Sequence, residues 1–152
     1  MFVSRVAPYP LRGSQPAKSP EEGNQLKVLI ADDAARLRQH LSEAISAIKR
    51  IESVAQAQDV SEACESVRRF HHDLVLLDIQ MPGGSGIDVL REVKQKSPAT
   101  TVIMFTNYSD PQYQQKCVEL GADHFLSKSR DFKQLIKIVE ELAVSKGANP
   151  VE

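Results

Sequence analysis

Five residues of this chain could share one piece of chemistry: Asp32, Asp33, Asp78, Thr106 and Lys128. Each closes or follows a short apolar run. VLIA ends in Asp32-Asp33, LVLL in Asp78 and TVIMF in Thr106, and HFL ends just before Lys128. A buried charge is costly unless something pairs with it. Three carboxylates brought close together cannot all stay ionised without a cation. A hard divalent ion with oxygen ligands resolves that repulsion, and Mg2+ accepts a few carboxylates while keeping several waters. Lys128 is a compact positive charge suited to a phosphoryl oxygen. Thr106 can donate a hydrogen bond to another such oxygen. A carboxylate can also be the nucleophile in phosphoryl transfer, giving an aspartyl phosphate. That chemistry needs mainly in-line positioning and charge neutralisation.

The elements that would position these residues alternate along the chain. Lys27–Ala31 reads as a strand buried on both faces, followed by Leu37, Leu41, Ala44, Ile45 and Ile48 at helical spacing. Asp33 is expected to cap that helix. Ser53–Ala57 is a weaker strand, and Ala63, Val67 and Phe70 mark the second helix. Leu74–Leu77 is the third strand. The glycine-rich MPGGSGI turn follows Asp78, its glycines permitting the turn out of that strand. Ile87, Leu90 and Val93 carry the third helix, which ends near Pro98. Thr101–Phe105 is the fourth strand. Helix four starts near Pro111, carries Val118 and Leu120, and ends at Gly121. His124–Leu126 is the fifth strand, and Phe132, Leu135, Ile136, Val139 and Leu142 form the last helix.

Strand–helix alternation repeated in this way predicts an α/β fold, a doubly wound parallel sheet with helices on both faces. Strands covered on both faces read as continuous apolar runs, as these do. All their C-terminal ends lie along one edge, and ligands bind where the strand order reverses. With the order 2-1-3-4-5, strands one and three are neighbours, so the three carboxylates converge.

The bulk numbers fit this. The chain has 152 residues, 41% hydrophobic and 26% charged, with a net charge of −1. That is the composition of an ordinary single globular domain. The charge carries no footprint for nucleic acid, and no apolar run is long enough to span a bilayer. Residues 1–25 hold four prolines, Pro8, Pro10, Pro16 and Pro20, and show no period, so they are expected to be a flexible leader. Arg5, Arg12 and Lys18 have no acidic neighbours before Glu21, but the prolines and the missing apolar stretch argue against a targeting peptide. Residues 145–152 read as a polar tail. Cys64 and Cys117 fall on helices, outside any metal or redox spacing, and read as reduced thiols of a cytoplasmic protein. His71-His72 reads as a solvated loop pair, and Arg68-Arg69 as a solvated helix face.

From Leu26 to about Val144 the chain resembles the receiver domains of two-component response regulators. The matching residues are Asp32-Asp33, Asp78 followed by Met81-Pro82 and Gly86, Thr106, Phe125 and Lys128. The resemblance implies a flavodoxin-like five-stranded sheet and a phosphorylation-controlled switch that accepts a phosphoryl group on Asp78. A histidine kinase or phosphotransfer protein would be the donor. It implies Mg2+ held by Asp33, Asp78 and the backbone carbonyl of Gln80, with Asp32 acting largely through water. Thr106 and Phe125 would be the switch pair, and Lys128 would contact the phosphoryl group. A protein target would meet the face of helix four, strand five and helix five, with Tyr113, Gln114, Lys116 and Lys137 as candidate contacts.

Two departures from the family bear on the site. Ser129 follows Lys128 where the family usually has proline, often after a cis bond, which leaves the geometry of that peptide open. Asn107 and Tyr108 follow Thr106 where the next residue is often small. Bulk there is expected to slow access of phosphodonor or water and prolong the phosphorylated state. The chain stops soon after the last helix and starts with Met1, which favours a complete single-domain regulator over one whose output domain has been removed. Two other readings stay open: an Mg2+-dependent phosphohydrolase of the haloacid dehalogenase type, and a receiver-like module that binds partners without phosphate. The first places its two acids two residues apart after strand one, whereas here they are adjacent.

Overall fold

The computed structural model of the chain describes residues 25–108 and 110–148. The leader up to Asn24 and residues 149–152 of the tail lie outside them. Five strands, β1 (Leu26–Ala31), β2 (Ile51–Ala57), β3 (Leu74–Leu77), β4 (Thr101–Thr106) and β5 (His124–Ser127), form one parallel sheet in the order β2-β1-β3-β4-β5. Five helices connect and follow them: α1 (Ala35–Ser46), α2 (Val60–Arg69), α3 (Gly86–Lys96), α4 (Pro111–Glu119) and α5 (Phe132–Ala148). A two-residue antiparallel ladder, Gln80–Met81 against Gly84–Ser85, folds the segment after β3 back on itself. The expected architecture and strand order are those found.

The side-chain alternation of a strand splits the core into two layers. Val75 and Leu77 of β3 face α2 and α3, packing with Ala63, Val67, Val89, Leu90 and Val93. Leu74 and Leu76 face α1 and α5, packing with Leu41, Ile45, Leu135, Ile138 and Val139. Full burial stabilises each such side chain by about 1.5–3 kcal/mol. The polar ends of the helices are tied down as well. Lys96 at the end of α3 donates to the Val67 and Arg68 carbonyls, which α2 leaves without partners inside its own helix.

Three expectations need correction. Asp33 does not cap α1: the cap position is Ala34, without a side-chain hydrogen bond, and the Asp32 carboxylate takes the Ala34 N–H instead. Helix α4 carries Val118 as expected, and turns the neighbouring Cys117 into the core while leaving Val118 59% exposed. His72 is not solvated. It is 4% exposed, with Nε2 2.9 Å from the Ser66 hydroxyl, while its carbonyl accepts from Thr100 Oγ1 at 2.7 Å. The tail expected from Ser145 starts in helix, since α5 runs as far as Ala148. Near this end Lys146 pairs with Asp73 at 2.7 Å.

Candidate functional site

Each site residue is aimed by the ladder it leaves. The Asp32 N–H donates to Ala57 of β2, and the Asp78 N–H to Ala31 of β1, at 3.0 and 3.1 Å. These bonds hold the two carboxylates side by side past the ends of adjacent strands. The Lys128 N–H donates to the Thr106 carbonyl at 3.1 Å, which carries the β4–β5 pairing one residue further. Its ammonium then lies 2.7 Å from an oxygen of Asp32 and 2.7 Å from an oxygen of Asp78. The Lys128–Ser129 peptide is trans, as are all peptides among the described residues. The loop is braced by the Asp131 carboxylate, which accepts from the Ser127 N–H at 2.8 Å.

Oxygens of Asp32, Asp33 and Asp78 lie within 4.8 Å of one another. Asp32 and Asp78 are buried and Asp33 is exposed. Burial raises the Asp32 pKa above its ordinary value, against the pull of the Lys128 and Ala34 hydrogen bonds. Burial works against the Lys128 charge too, but its hydrogen bonds to Asp32 and Asp78 outweigh that and raise its pKa. With all four groups charged, three carboxylates and one ammonium leave two negative charges. An all-oxygen donor set with that residual charge, open to water on the Asp33 side, fits a hard divalent cation.

An open cleft of about 480 Å³ lies over the cluster, lined by Asp33, Asp78, Gln80, Met81, Pro82, Thr106, Asn107, Tyr108 and Lys128. Thr106 Oγ1 accepts from the Tyr108 N–H at 3.1 Å, so its hydroxyl proton is left to donate. The Tyr108 ring lies over that of Tyr113 on α4, with centroids 5.5 Å apart. Asn107 and Tyr108 thus form a wall of the cleft, where the sequence placed their bulk. Phe125 does not line it. It is half-buried against the core layer that holds Met104 of β4 and Cys117 of α4, and is level with Met104.

Gly86 backs the site. A Cβ there would lie 1.9 Å from the Asp78 carbonyl oxygen, so only glycine fits while the Gly86 N–H donates to Ile79 at 2.7 Å. Sequence reading placed Gly86 in the turn but not against Asp78. Arg38 also bears on the site. It donates to the Asp32 carbonyl at 2.7 Å, and its only signal in the sequence is a basic residue one turn into the helix after the acidic pair.

Fold and cleft together define a class: a doubly wound α/β domain with an acidic site at its topological switch point. The response regulator receiver domain profile matches residues 28–140, and the chain belongs to that family, the phosphorylation-dependent signalling domain of two-component response regulators. It is 28% identical over 120 residues to the transcriptional regulatory protein DegU of Brevibacillus brevis, covering 79% of this chain and 51% of that protein. It is 34% identical over 113 residues to the response regulator protein PilR of Pseudomonas aeruginosa, covering 74% and 25%. The response regulator domain of Thermotoga maritima CheB superposes with a TM-score of 0.70 at 26% identity, over 83% of this chain and 99% of that one. A CheY-like receiver domain protein of Methanospirillum hungatei shares the fold with a TM-score of 0.73 at 20% identity, over 82% and 98%. The chain spans about half the length of DegU and a quarter of PilR. No helix among the described residues is long and apolar enough to cross a membrane.

Proposed function

We propose that Asp78 accepts a phosphoryl group from a histidine kinase or phosphotransfer protein, and that the domain passes this signal to a protein partner. The observation that carries the reading is Lys128, whose ammonium bridges Asp32 and Asp78 at 2.7 Å inside the cleft. An Asp78 carboxylate oxygen attacks phosphorus as the bond from phosphorus to the donor imidazole nitrogen breaks. The imidazole leaves with the electron pair of that bond. Lys128 then exchanges its contact with Asp78 for a phosphoryl oxygen. Thr106 turns its free hydroxyl proton toward another, which loosens its bond to the Tyr108 N–H.

Asp33, Asp78 and the Gln80 carbonyl would hold Mg2+, with Asp32 behind them. When bound, the ion neutralises phosphoryl charge and holds the group in line. Movement of Thr106 frees space for Phe125, and the face of α4, β5 and α5 changes shape. Tyr113, Gln114, Lys116 and Lys137 are exposed on α4 and α5 and available for contact.

The test is intact-mass spectrometry after incubation with Mg2+ and acetyl phosphate, beside Asp78→Asn. A gain of one phosphoryl group in the wild type alone supports the reading. If a phosphohistidine donor also fails to modify the protein, the site is a phosphate-independent binding module.

A further inference from the structure

We infer that Arg38 is a positioning residue for the cation site, setting the aim of Asp33 through the backbone. The inference rests on the reading of Asp32, Asp33 and Asp78 as cation ligands. Beyond Ala31 the Asp32 N–H still donates to Ala57 of β2, at 3.0 Å, but Asp33 is past the sheet and something else must fix it. Asp32 is held by its side chain as well, which bonds Lys128 at 2.7 Å and the Ala34 N–H at 2.8 Å. Asp33 is exposed, and its carboxylate accepts no hydrogen bond from the described residues. Its place therefore depends on its backbone alone.

The peptide that joins Asp32 to Asp33 is the one Arg38 grips. Arg38 Nη1 donates to the Asp32 carbonyl at 2.7 Å, and Nε donates to Gln56 Oε1 at 2.9 Å. Two bonds from one rigid planar fork fix the guanidinium in orientation as well as in place. They tie the acidic turn to α1 and to β2 together. Strand, helix and turn then move as one body, and Asp33 is presented to the cluster before any ion arrives.

The charge of Arg38 works in the opposite sense. A guanidinium bonded to Asp32 lies well inside the screening distance of about 10 Å from the cluster and repels a divalent cation. Positioning and electrostatics thus predict opposite signs for its removal, which makes the inference testable.

The experiment is a calorimetric Mg2+ titration of the wild type, Arg38→Met, Arg38→Lys and Gln56→Leu, each checked for folding by circular dichroism. Positioning predicts that Arg38→Met binds Mg2+ about tenfold more weakly, the low end for outer-shell partners of metal ligands. Arg38→Lys keeps the charge but loses the fork, and falls between it and the wild type. Gln56→Leu keeps the arginine, frees its orientation and also weakens binding; it decides the matter if Arg38→Met does not fold. Unchanged or tighter binding in the folded Arg38→Met protein, or unchanged binding in Gln56→Leu, overturns the inference alone. A wild type that takes up no Mg2+, matching an Asp33→Asn control, overturns the cation site itself.

Discussion

Acidification from neutral pH to about pH 5 will destabilise this domain through His72, by about 2 kcal/mol. The imidazole is 4% exposed, between α2 and the start of β3. Burial pulls its pKa down from 6.5 to about 4, against a hydrogen bond with Ser66 and with help from the neighbouring charges of His71 and Lys96. The unfolded chain binds a proton at its ordinary pKa, and the folded one does not until about pH 4. The stabilising contribution is thus complete above pH 6.5 and is lost as the pH falls toward 4. Each pH unit in that window is worth about 1.4 kcal/mol. By about pH 5 the loss is about 2 kcal/mol, against a total stability of about 5–15 kcal/mol for a typical domain.

The assay is urea unfolding of the wild type and His72→Gln near neutral pH and at about pH 5. Glutamine keeps a polar group beside Ser66 and does not titrate. The wild type should lose about 2 kcal/mol more than the variant between the two conditions. Asp32, raised by burial, and Asp73, lowered by Lys146 and the Lys27 N–H despite burial, also respond to acid, but in both proteins alike. An equal loss in the two proteins would refute the argument, since His72 would then titrate at its ordinary pKa.

Three other perturbations test the geometry of the site. Gly86→Ala drives a methyl group into the Asp78 carbonyl and should lower stability by about 3 kcal/mol, read as a drop in the urea midpoint. Lys128→Met leaves Asp32 and Asp78 facing each other unpaired, at a cost of about 3 kcal/mol near neutral pH. The same variant should show a urea midpoint that Mg2+ partly restores, and should take up the phosphoryl group poorly in the mass assay. Tyr108→Ala opens the wall of the cleft beside Thr106 and should shorten the lifetime of the phosphorylated protein, measured by the rate of mass loss after donor removal. An unchanged rate would show that Tyr108 does not restrict water at the site.

The sequence alone determined the sheet and the place of the site. Five apolar runs alternating with amphipathic stretches permit little besides a parallel sheet covered on both faces. In such a sheet a polar residue at the end of each run must come to one edge. The apolar runs therefore group Asp32, Asp33, Asp78, Thr106 and Lys128 by themselves.

Tertiary structure decided what depends on which atoms meet from different elements. The helix period did not say whether Cys117 or Val118 of α4 would face the sheet. Nothing local told that His72 would sit under Ser66 and Thr100 rather than in water. The competition for the Ala34 N–H went to Asp32 because β1 and Lys128 already held that carboxylate in place, leaving Asp33 facing the solvent. Arg38 and Gly86 act on the site through the backbone of Asp32 and Asp78. A hydrogen bond to a carbonyl, or the space beside one, leaves no mark in residue type, so only the folded chain reveals it.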